Sequence, residues 1–321
     1  MPDRLWITWE TQRRNRTLSA LLNARLFEFD LELPGWQRYP LAIWKTLATL
    51  FAEKPEIIFA QNPSIVLAWL AVMYANLTGK KVVIDAHNAG LFPAEGKYRS
   101  LNWLASKLFK WTTVTIVSND ALKSHVEKHG GKSVALPDPI PEIAPPVISP
   151  ELGGKFNVMF ICSWAEDEPY YEVMRAATLL DKSIYIYMTG KSRGLEAHAG
   201  IPVPENVVLT GFVTNERFSE LLYGCDAVMA LTTREDCLLC GAYEGVSAGK
   251  PLLLSDTSAL RNYFNQGSVY VDNSAAEIAT AITTIATEHA ALTREIREMH
   301  KQRDIELTGL TENLEQALLV L

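Results

Sequence analysis

The stretch Asn206–Asp256 reads NVVLTGFVTNERFSELLYGCDAVMALTTREDCLLCGAYEGVSAGKPLLLSD and alternates short apolar runs with helical segments. NVVLTGFV, DAVMALT and KPLLLSD have the composition of buried strands, and NERFSELLYG and AYEGVSAGK separate them. Strands that alternate with helices are joined by crossovers and form a parallel sheet with helices on both faces. The stretch therefore predicts an α/β fold with a doubly wound sheet.

The same alternation extends over both halves of the 321-residue chain and is interrupted once. The interruption contains the prolines Pro137, Pro139, Pro141, Pro145, Pro146 and Pro150. Proline lacks an amide donor, so this segment cannot form a regular element. We predict an N-terminal Rossmann-like domain over 1–140, a linker over 141–154 and a second Rossmann-like domain over 155–321. From Ala275 onward the spacing of apolar residues predicts C-terminal helices.

Composition narrows the classes of function. The net charge of −7 and pI of about 5.5 argue against a broad nucleic-acid footprint, so we expect no nucleic-acid partner. Four cysteines are too few for a disulfide framework, and the opening MPDRLWITWE lacks the pattern of a signal peptide. The apolar stretch Pro63–Gly79 is shorter than the roughly 20 residues of a spanning helix and predicts a buried helix. A cytoplasmic protein is expected.

A glycine-rich dinucleotide fingerprint would follow the first strand of a domain. Neither segment at that place, ITWETQRRNR from Ile7 or FICSWAEDEP from Phe160, contains a glycine. The sequence therefore disfavours a nicotinamide enzyme.

Asp236 and Glu244 are separated by seven residues, and Gly241 lies between them where a loop turns into a helix. The start of a helix offers unpaired amides and a positive dipole end to a diphosphate, and glycine allows close approach. Glu244 can accept both hydroxyls of a ribose, and Asp236 can reach those of a sugar. Alternatively, both acids only favour the helix N-terminus electrostatically.

Cys237 and Cys240 lie inside this acidic frame. A structural zinc site needs about four ligands, and the sequence offers no second pair nearby, so we expect no metal. The two cysteines are interpreted as spacer residues, with Cys240 beside Gly241 in the donor-binding segment.

TREDCLLCGAYEGVSAGKPLLLSD, with NVVLTGFVTNERFSELLYGCDAVMAL before it, resembles the donor-binding region of glycosyltransferase family 4. The family is typified by an acid, seven residues, a glutamate and then GKP before a strand. The resemblance implies a GT-B fold with two Rossmann-like domains facing a cleft. It further implies retaining transfer from a nucleotide sugar without a metal or other cofactor, the diphosphate itself helping to deprotonate the acceptor. Glu244 would hold the ribose, and Asp236, where the family usually has glutamate, would lie near the sugar.

One departure from the family concerns the basic pair that usually follows the first strand of this domain. Here CSWAEDEPYYE is acidic. Lys191 and Arg193, after the next strand, and Arg234 are candidates to bind the diphosphate instead. The alternatives are a solvated turn for the first two and a surface salt bridge for Arg234. Ser163, at the end of the first strand, can line the donor site.

Arg13, Arg14 and Arg16 stand at the start of a helix in the first domain, where cations oppose the macrodipole. A phosphate of the donor or of the acceptor would explain them, and solvated surface arginines are the alternative. His87 and Asn88 follow a strand of the same domain. Because related enzymes have a histidine after an equivalent strand, we expect His87 to contact the reacting sugar or acceptor.

The segment LPGWQRYPLAIWKTLATLFAEK carries Trp36, Tyr39 and Trp44 and is suited to the inner face of a membrane, although core packing would also explain them. The expected acceptor is a saccharide or a polyprenyl-diphosphate-linked saccharide, in polysaccharide or cell-envelope glycan synthesis. Two other hypotheses remain: a nucleotide-sugar epimerase of the same fold, and a degenerate binding module without catalysis.

Overall fold

The computed structural model describes residues 3–62, 64–86, 88–93, 97–147, 150–191 and 202–320, with the backbone alone at 88, 89, 319 and 320. The chain divides into two compact units. The first unit combines Met1–Pro139 with Ile305–Leu321, and the second is Ile140–Asp304.

The first unit is built on a six-stranded parallel sheet of order β2-β1-β3-β4-β5-β6. Its strands are β1 (Arg4–Thr8), β2 (Arg25–Glu28), β3 (Ile57–Asn62), β4 (Lys81–Ala86), β5 (Val114–Val117) and β6 (Ser133–Ala135). β1 and β3 are buried along their whole length, as expected for strands covered on both faces.

Helices cover both faces of the first sheet. They are α1 (Arg13–Leu21), α2 (Gly35–Glu53), α3 (Ile65–Thr78), α4 (Asn88–Leu91), α5 (Arg99–Trp111) and α6 (Asp120–Lys128). One core contains Leu50 of α2, Ala71 of α3 and Leu108 of α5, whereas the other contains Leu18 of α1. α2, α3, α5 and α6 therefore form one helix layer, and α1 belongs to the opposite layer.

The second unit has a six-stranded parallel sheet of order β12-β11-β10-β7-β8-β9. Its strands are β7 (Phe156–Phe160), β8 (Ile184–Thr189), β9 (Val207–Gly211), β10 (Ala227–Ala230), β11 (Leu252–Ser255) and β12 (Ser268–Val271). Its helices are α7 (Tyr170–Leu179), α8 (Asn215–Gly224), α9 (Cys240–Ser247), α10 (Ser258–Tyr263) and α11 (Ala275–Val320). Both faces carry a hydrophobic core, so this sheet is also doubly wound.

α11 serves both units. Ile278 and Ile282 pack on one core of the second sheet, and Leu314 and Leu318 pack on the α1 side of the first. The predicted helical tail is present, but its last part groups with the first unit and not with the second domain to which we assigned it. The reason is physical: a long helix carries apolar residues beyond one sheet and buries them where the next apolar surface lies.

The proline-rich segment belongs to the second unit. The Ser219 hydroxyl donates to the Ala144 carbonyl at 2.5 Å, and the Tyr223 hydroxyl donates to the Ile143 carbonyl at 2.7 Å. These bonds satisfy carbonyls that the irregular backbone cannot pair internally.

Residues Pro63–Gly79 were expected to form a buried helix. α3 begins after Ser64, whose side chain caps it, and ends at Gly79 with a positive φ of 67°. Pro63 lies outside the described residues. Among the described helices, none is both long and apolar enough to cross a membrane.

Two glycines let α9 pack closely on the second sheet. A Cβ atom on Gly245 would lie 2.5 Å from Leu252 Cδ2 and 3.0 Å from Val228 Cβ. A Cβ atom on Gly241 would lie 2.9 Å from Ile161 Cβ. Both residues are buried, so any larger side chain would push α9 away from β10 and β11.

We expect Gly245→Ala to lower the free energy of unfolding by about 1–3 kcal/mol, because the added methyl overpacks the contact between α9 and the sheet. Gly309→Ala in α11 is the matched control, since its Cβ would meet nothing within 4 Å. That change should stabilise by up to about 1 kcal/mol through helix propensity. Urea denaturation measures both, and equal effects would contradict the packing role of Gly245.

Candidate functional site

The strand order of the second sheet reverses between β7 and β10. In doubly wound sheets, ligands bind outside the carboxyl ends of the strands at such a switch point. The loop after β7 and the loop after β10 therefore define the candidate site. The first contains the acidic segment that departs from the family pattern, and the second leads into α9.

Glu168 closes the loop after β7. Its carboxylate accepts hydrogen bonds from the amide of Ser163 at 2.9 Å and the amide of Ala165 at 2.8 Å. The Ser163 hydroxyl also donates to it at 3.2 Å. Between the two amides, Trp164 adopts a positive φ of 64°. A turn of this kind directs amides toward one anion, and here that anion is a side chain of the protein itself.

Asp167 joins the two loops. Its carboxylate accepts from the Thr232 hydroxyl at 2.7 Å, and its carbonyl accepts from the Thr233 amide at 2.8 Å. Arg234 lies 3.4 Å from the same carboxylate, with a half-exposed side chain. The acidic segment is thus a structural tie between β7 and β10. Sequence reasoning missed this role, because the partners lie on another strand's loop.

The loop after β8 packs against the loop after β7. The Trp164 indole N–H donates to the Thr189 carbonyl at 2.8 Å, and the Cys162 amide donates to the Thr189 hydroxyl at 3.2 Å. Gly190 follows with a φ of 87°, and a Cβ there would lie 2.4 Å from the Cys162 carbonyl oxygen. Only glycine fits this close approach. Lys191, the next residue, is exposed, and its ammonium lies 5.2 Å from the ring centroid of Phe212.

α9 begins at Cys240, after Leu239 at the N-cap. The apolar side chain of Leu239 cannot cap the helix, and the Leu239 carbonyl accepts from the Ala242 amide at 3.0 Å. Glu244 lies in the second turn of α9, on the same face as Cys240. Asp236 and Glu244 are both half-buried.

Cys225 and Cys237 do not have the environment of reactive thiols. Burial raises the pKa of Cys225 to about 12 and also raises the pKa of Cys237. A raised pKa disfavours the thiolate that metal binding and redox chemistry require. Among the described residues, no group of three or more histidine, cysteine or acidic side chains is placed to hold a metal ion.

The structure places most of the predicted donor-binding residues at the switch point. Ser163 follows β7. The predicted residues that follow β10, on its loop or in α9, are Arg234, Asp236, Cys240, Gly241 and Glu244. Lys191 follows β8, and Arg193 lies outside the described residues. His87 also lies outside them, and Asn88 is the first residue of α4, with only its backbone described.

In the first unit, the structure corrects the expectation for Arg14. Its guanidinium is buried and donates to Asp85 at 2.8 Å, to Asp138 at 2.5 Å and to the Leu136 carbonyl at 3.0 Å. Burial alone would lower the pKa of Arg14, but the charges of Asp85 and Asp138 raise it above its ordinary value. The anion expected for Arg14 is therefore supplied by the chain, and a ligand phosphate is not needed to explain it.

The other two arginines of α1 are exposed. Arg16 pairs with Glu28 of β2 at 2.9 Å, which matches the surface alternative. Arg13 is the first residue of the helix. Next to Arg14, Asn15 donates to Thr8 at 3.1 Å and to Gln61 at 2.9 Å. These bonds fix the start of α1 to the ends of β1 and β3, where the strand order of the first sheet reverses.

No protein-family model matches the chain, and no curated protein matches its sequence. Solved structures do match. HepE of Anabaena in complex with UDP-glucose has a TM-score of 0.74 at 14% identity, covering 100% of both chains. Sucrose-phosphate synthase from Thermosynechococcus elongatus has a TM-score of 0.71 at 12% identity, covering 91% of this chain and 82% of its own. A glycosyltransferase from Rickettsia africae has a TM-score of 0.66 at 14% identity, covering 97% and 88%.

At these identities the likeness shows the fold. The chain has the GT-B fold, with two doubly wound Rossmann-like units and a helical C-terminal tail, and the predicted fold class is confirmed.

We expect Arg14→Met to lower the free energy of unfolding by about 3–5 kcal/mol, because it leaves the fully buried Asp85 carboxylate without its cation. Arg16→Met, on the same helix, removes an exposed ion pair and should cost at most about 1 kcal/mol. Urea denaturation of both variants at pH 7 measures the difference. Similar losses of stability for the two variants would show that the buried ion pair of Arg14 with Asp85 does not stabilise the fold more than an exposed pair.

Proposed function

We propose that this chain is a glycosyltransferase that moves a sugar from a nucleotide sugar to a saccharide or lipid-linked saccharide, with retention and without a metal. The products would be polysaccharides or cell-envelope glycans. A UDP-sugar is the first donor to test, because the GT-B structure of HepE was solved with UDP-glucose and matches this chain over its whole length.

The observation that carries the proposal is the position of the Asp236–Glu244 frame. The sequence identified two acids, a glycine and a helix start by their spacing alone, and the fold puts all of them after β10, beside the switch point with β7. A ligand-binding role needs that location, whereas acids that merely stabilise a helix N-terminus can occur on any helix.

The proposed roles follow from the chemistry of each group. The first amides of α9, with the positive end of its dipole, would stabilise the charge that develops on the departing diphosphate. Glu244 would accept the ribose hydroxyls, and Asp236 would orient the transferred sugar. Arg234 lies on the loop after β10 and Lys191 follows β8, and both would assist at the phosphates. The contact of His87 with sugar or acceptor stays a prediction.

Glu168 bears on the alternative of a binding module without catalysis. Its carboxylate occupies the amides after β7, so a diphosphate that approached them would meet a like charge. In the proposed enzyme the donor lies toward β10 and α9 and leaves this turn intact. In a degenerate module the turn would be closed permanently, and no nucleotide would bind.

Replacement of Glu244 tests donor binding. We expect Glu244→Ala to weaken binding of UDP by about 10- to 100-fold, since hydrogen bonds to a charged group are worth about 1.5–3 kcal/mol. Glu235→Ala is the matched control, because Glu235 is an exposed acid on the same loop. Calorimetric titration measures the affinity, and transfer from UDP-sugars to candidate acceptors measures the activity.

Thermal-shift measurements with uridine, guanosine, thymidine and cytidine diphosphates extend this test, because a ligand of the folded state raises its stability. Binding of a nucleoside diphosphate other than UDP would change the expected donor but would still support a glycosyltransferase. No binding of any nucleoside diphosphate by the wild-type chain would overturn the transferase and support the module.

Removal of the charge on Glu168 gives a second test of the donor site. Glu168→Gln keeps an acceptor for the Ser163 and Ala165 amides, so we expect it to raise UDP affinity about three- to tenfold by removing a repulsive charge, roughly 1 kcal/mol. Glu166→Gln removes the same charge from an exposed neighbour and should change the affinity less. Equal effects would mean that only the net charge of the loop matters.

A further inference from the structure

An apolar groove runs between α3 and α5 on the outer surface of the first unit. It has a volume of about 530 Å³ and is lined by Trp69, Met73 and Leu77 of α3 and by Trp103, Lys107 and Trp111 of α5. We call these residues the α3–α5 groove. It lies on the helix layer of α2, α3, α5 and α6 in the first unit, whereas the candidate donor site belongs to the second unit.

The apolar side chains of the α3–α5 groove are strongly exposed. Leu77 is 83% exposed, Trp103 61%, Trp111 57% and Met73 55%. On α3, Ala68, Ala71 and Ala75 face the core, and Met73 and Leu77 lie exposed beside the polar side chain of Asn76. A cluster of large exposed apolar side chains with polar neighbours is typical of an interaction surface.

α3 carries no charged side chain, and every charged side chain of α5 is basic. Neither α3 nor α5 contains an aspartate or glutamate, in a chain whose net charge is −7. Lys107 lies over the Trp103 ring at 5.4 Å. A second pocket shares Trp103 and Lys107 with the groove and adds Lys110, Lys128 and His129, with Glu127 as its single acid. An apolar groove therefore borders a cationic pocket.

We propose that the α3–α5 groove is the surface by which the protein binds an anionic lipid bilayer. Exposed tryptophans and leucines would enter the boundary between headgroups and acyl chains, and Lys107 and Lys110 would meet lipid phosphates. A second copy of the chain on the same surface would bring these lysines against their own counterparts, because a two-fold interface joins identical patches. The charge therefore favours the bilayer.

This inference rests on the proposed function and adds to it, since an enzyme that uses a lipid-linked acceptor must reach the membrane that holds the acceptor. It assigns the contact to a surface that the sequence did not indicate. The sequence pointed to Trp36, Tyr39 and Trp44 of α2. Trp36 and Trp44 are 76% and 65% exposed, so core packing does not explain them, but neither lines the α3–α5 groove or the cationic pocket beside it.

The test is co-sedimentation of the full chain with vesicles of phosphatidylglycerol and phosphatidylcholine, and with vesicles of phosphatidylcholine alone. We expect the wild type to prefer the anionic vesicles and to be released by salt. Leu77→Ser with Trp103→Ser should reduce binding about tenfold or more. Lys107→Gln with Lys110→Gln should reduce binding to anionic vesicles and weaken its salt dependence.

Trp36→Ser with Ile305→Ser is the matched control, because it removes the same kinds of side chain from exposed positions outside the groove. Its binding should stay within about twofold of wild type, a change of less than about 0.5 kcal/mol. Thermal melts check that each variant is folded, and UDP titration of the groove variant should be unchanged, which separates this inference from donor binding.

Three results would overturn the assignment. The first is a wild type that does not bind anionic vesicles. The second is loss of binding in the control variant but not in the groove variant. The third is a wild-type dimer in analytical ultracentrifugation that Leu77→Ser with Trp103→Ser converts to monomer without any change in vesicle binding, which would make a second copy the occupant.

Discussion

Parallel strands must be joined by crossovers, and this requirement brings the carboxyl ends of all strands to one edge of each sheet. The loops at that edge carry polar groups that lie close to the buried ends of strands, where unpaired polar atoms are costly. Each unit satisfies them with charged side chains. Arg14 does so in the first unit, and Asp167 and Glu168 do so in the second. The edge where a ligand would bind is thus also the edge that the chain must stabilise from within.

The same edge of the sheet must be open to a ligand and stabilised by the chain, and this requirement explains the acids after β7. Here Glu168 holds the amides of Ser163 and Ala165, and Asp167 holds Thr232, so the loop has its shape without a ligand. The positive φ of Trp164 costs conformational energy that these bonds offset. The chain therefore holds the loop at the switch point in place with its own side chains.

Those features of the fold that depend on local pattern were predictable from sequence. Alternating strands and helices gave two parallel sheets, and the turn from loop to helix expected at Gly241 lies within one residue of the start of α9. The pairs that organise the two edges were not predictable. Arg14 and Asp85 are 71 residues apart, and Asp167 and Thr232 are 65 apart. A charge in a sequence shows no sign of its distant partner, so the sequence offered only a ligand phosphate or solvent as the partner of Arg14.

The net charge of the chain likewise does not reveal where the charged side chains lie on the surface. A value of −7 excludes a broad basic surface, yet α3 and α5 lie side by side in one layer without a single acid. Averaging over the chain cancels Lys107 and Lys110 against acids that lie elsewhere. Screening limits the reach of each charge to about 10 Å at 0.1 M salt, so a bilayer would respond to the local lysines and not to the average. The surface charge that governs association is therefore set by which helices the fold places together.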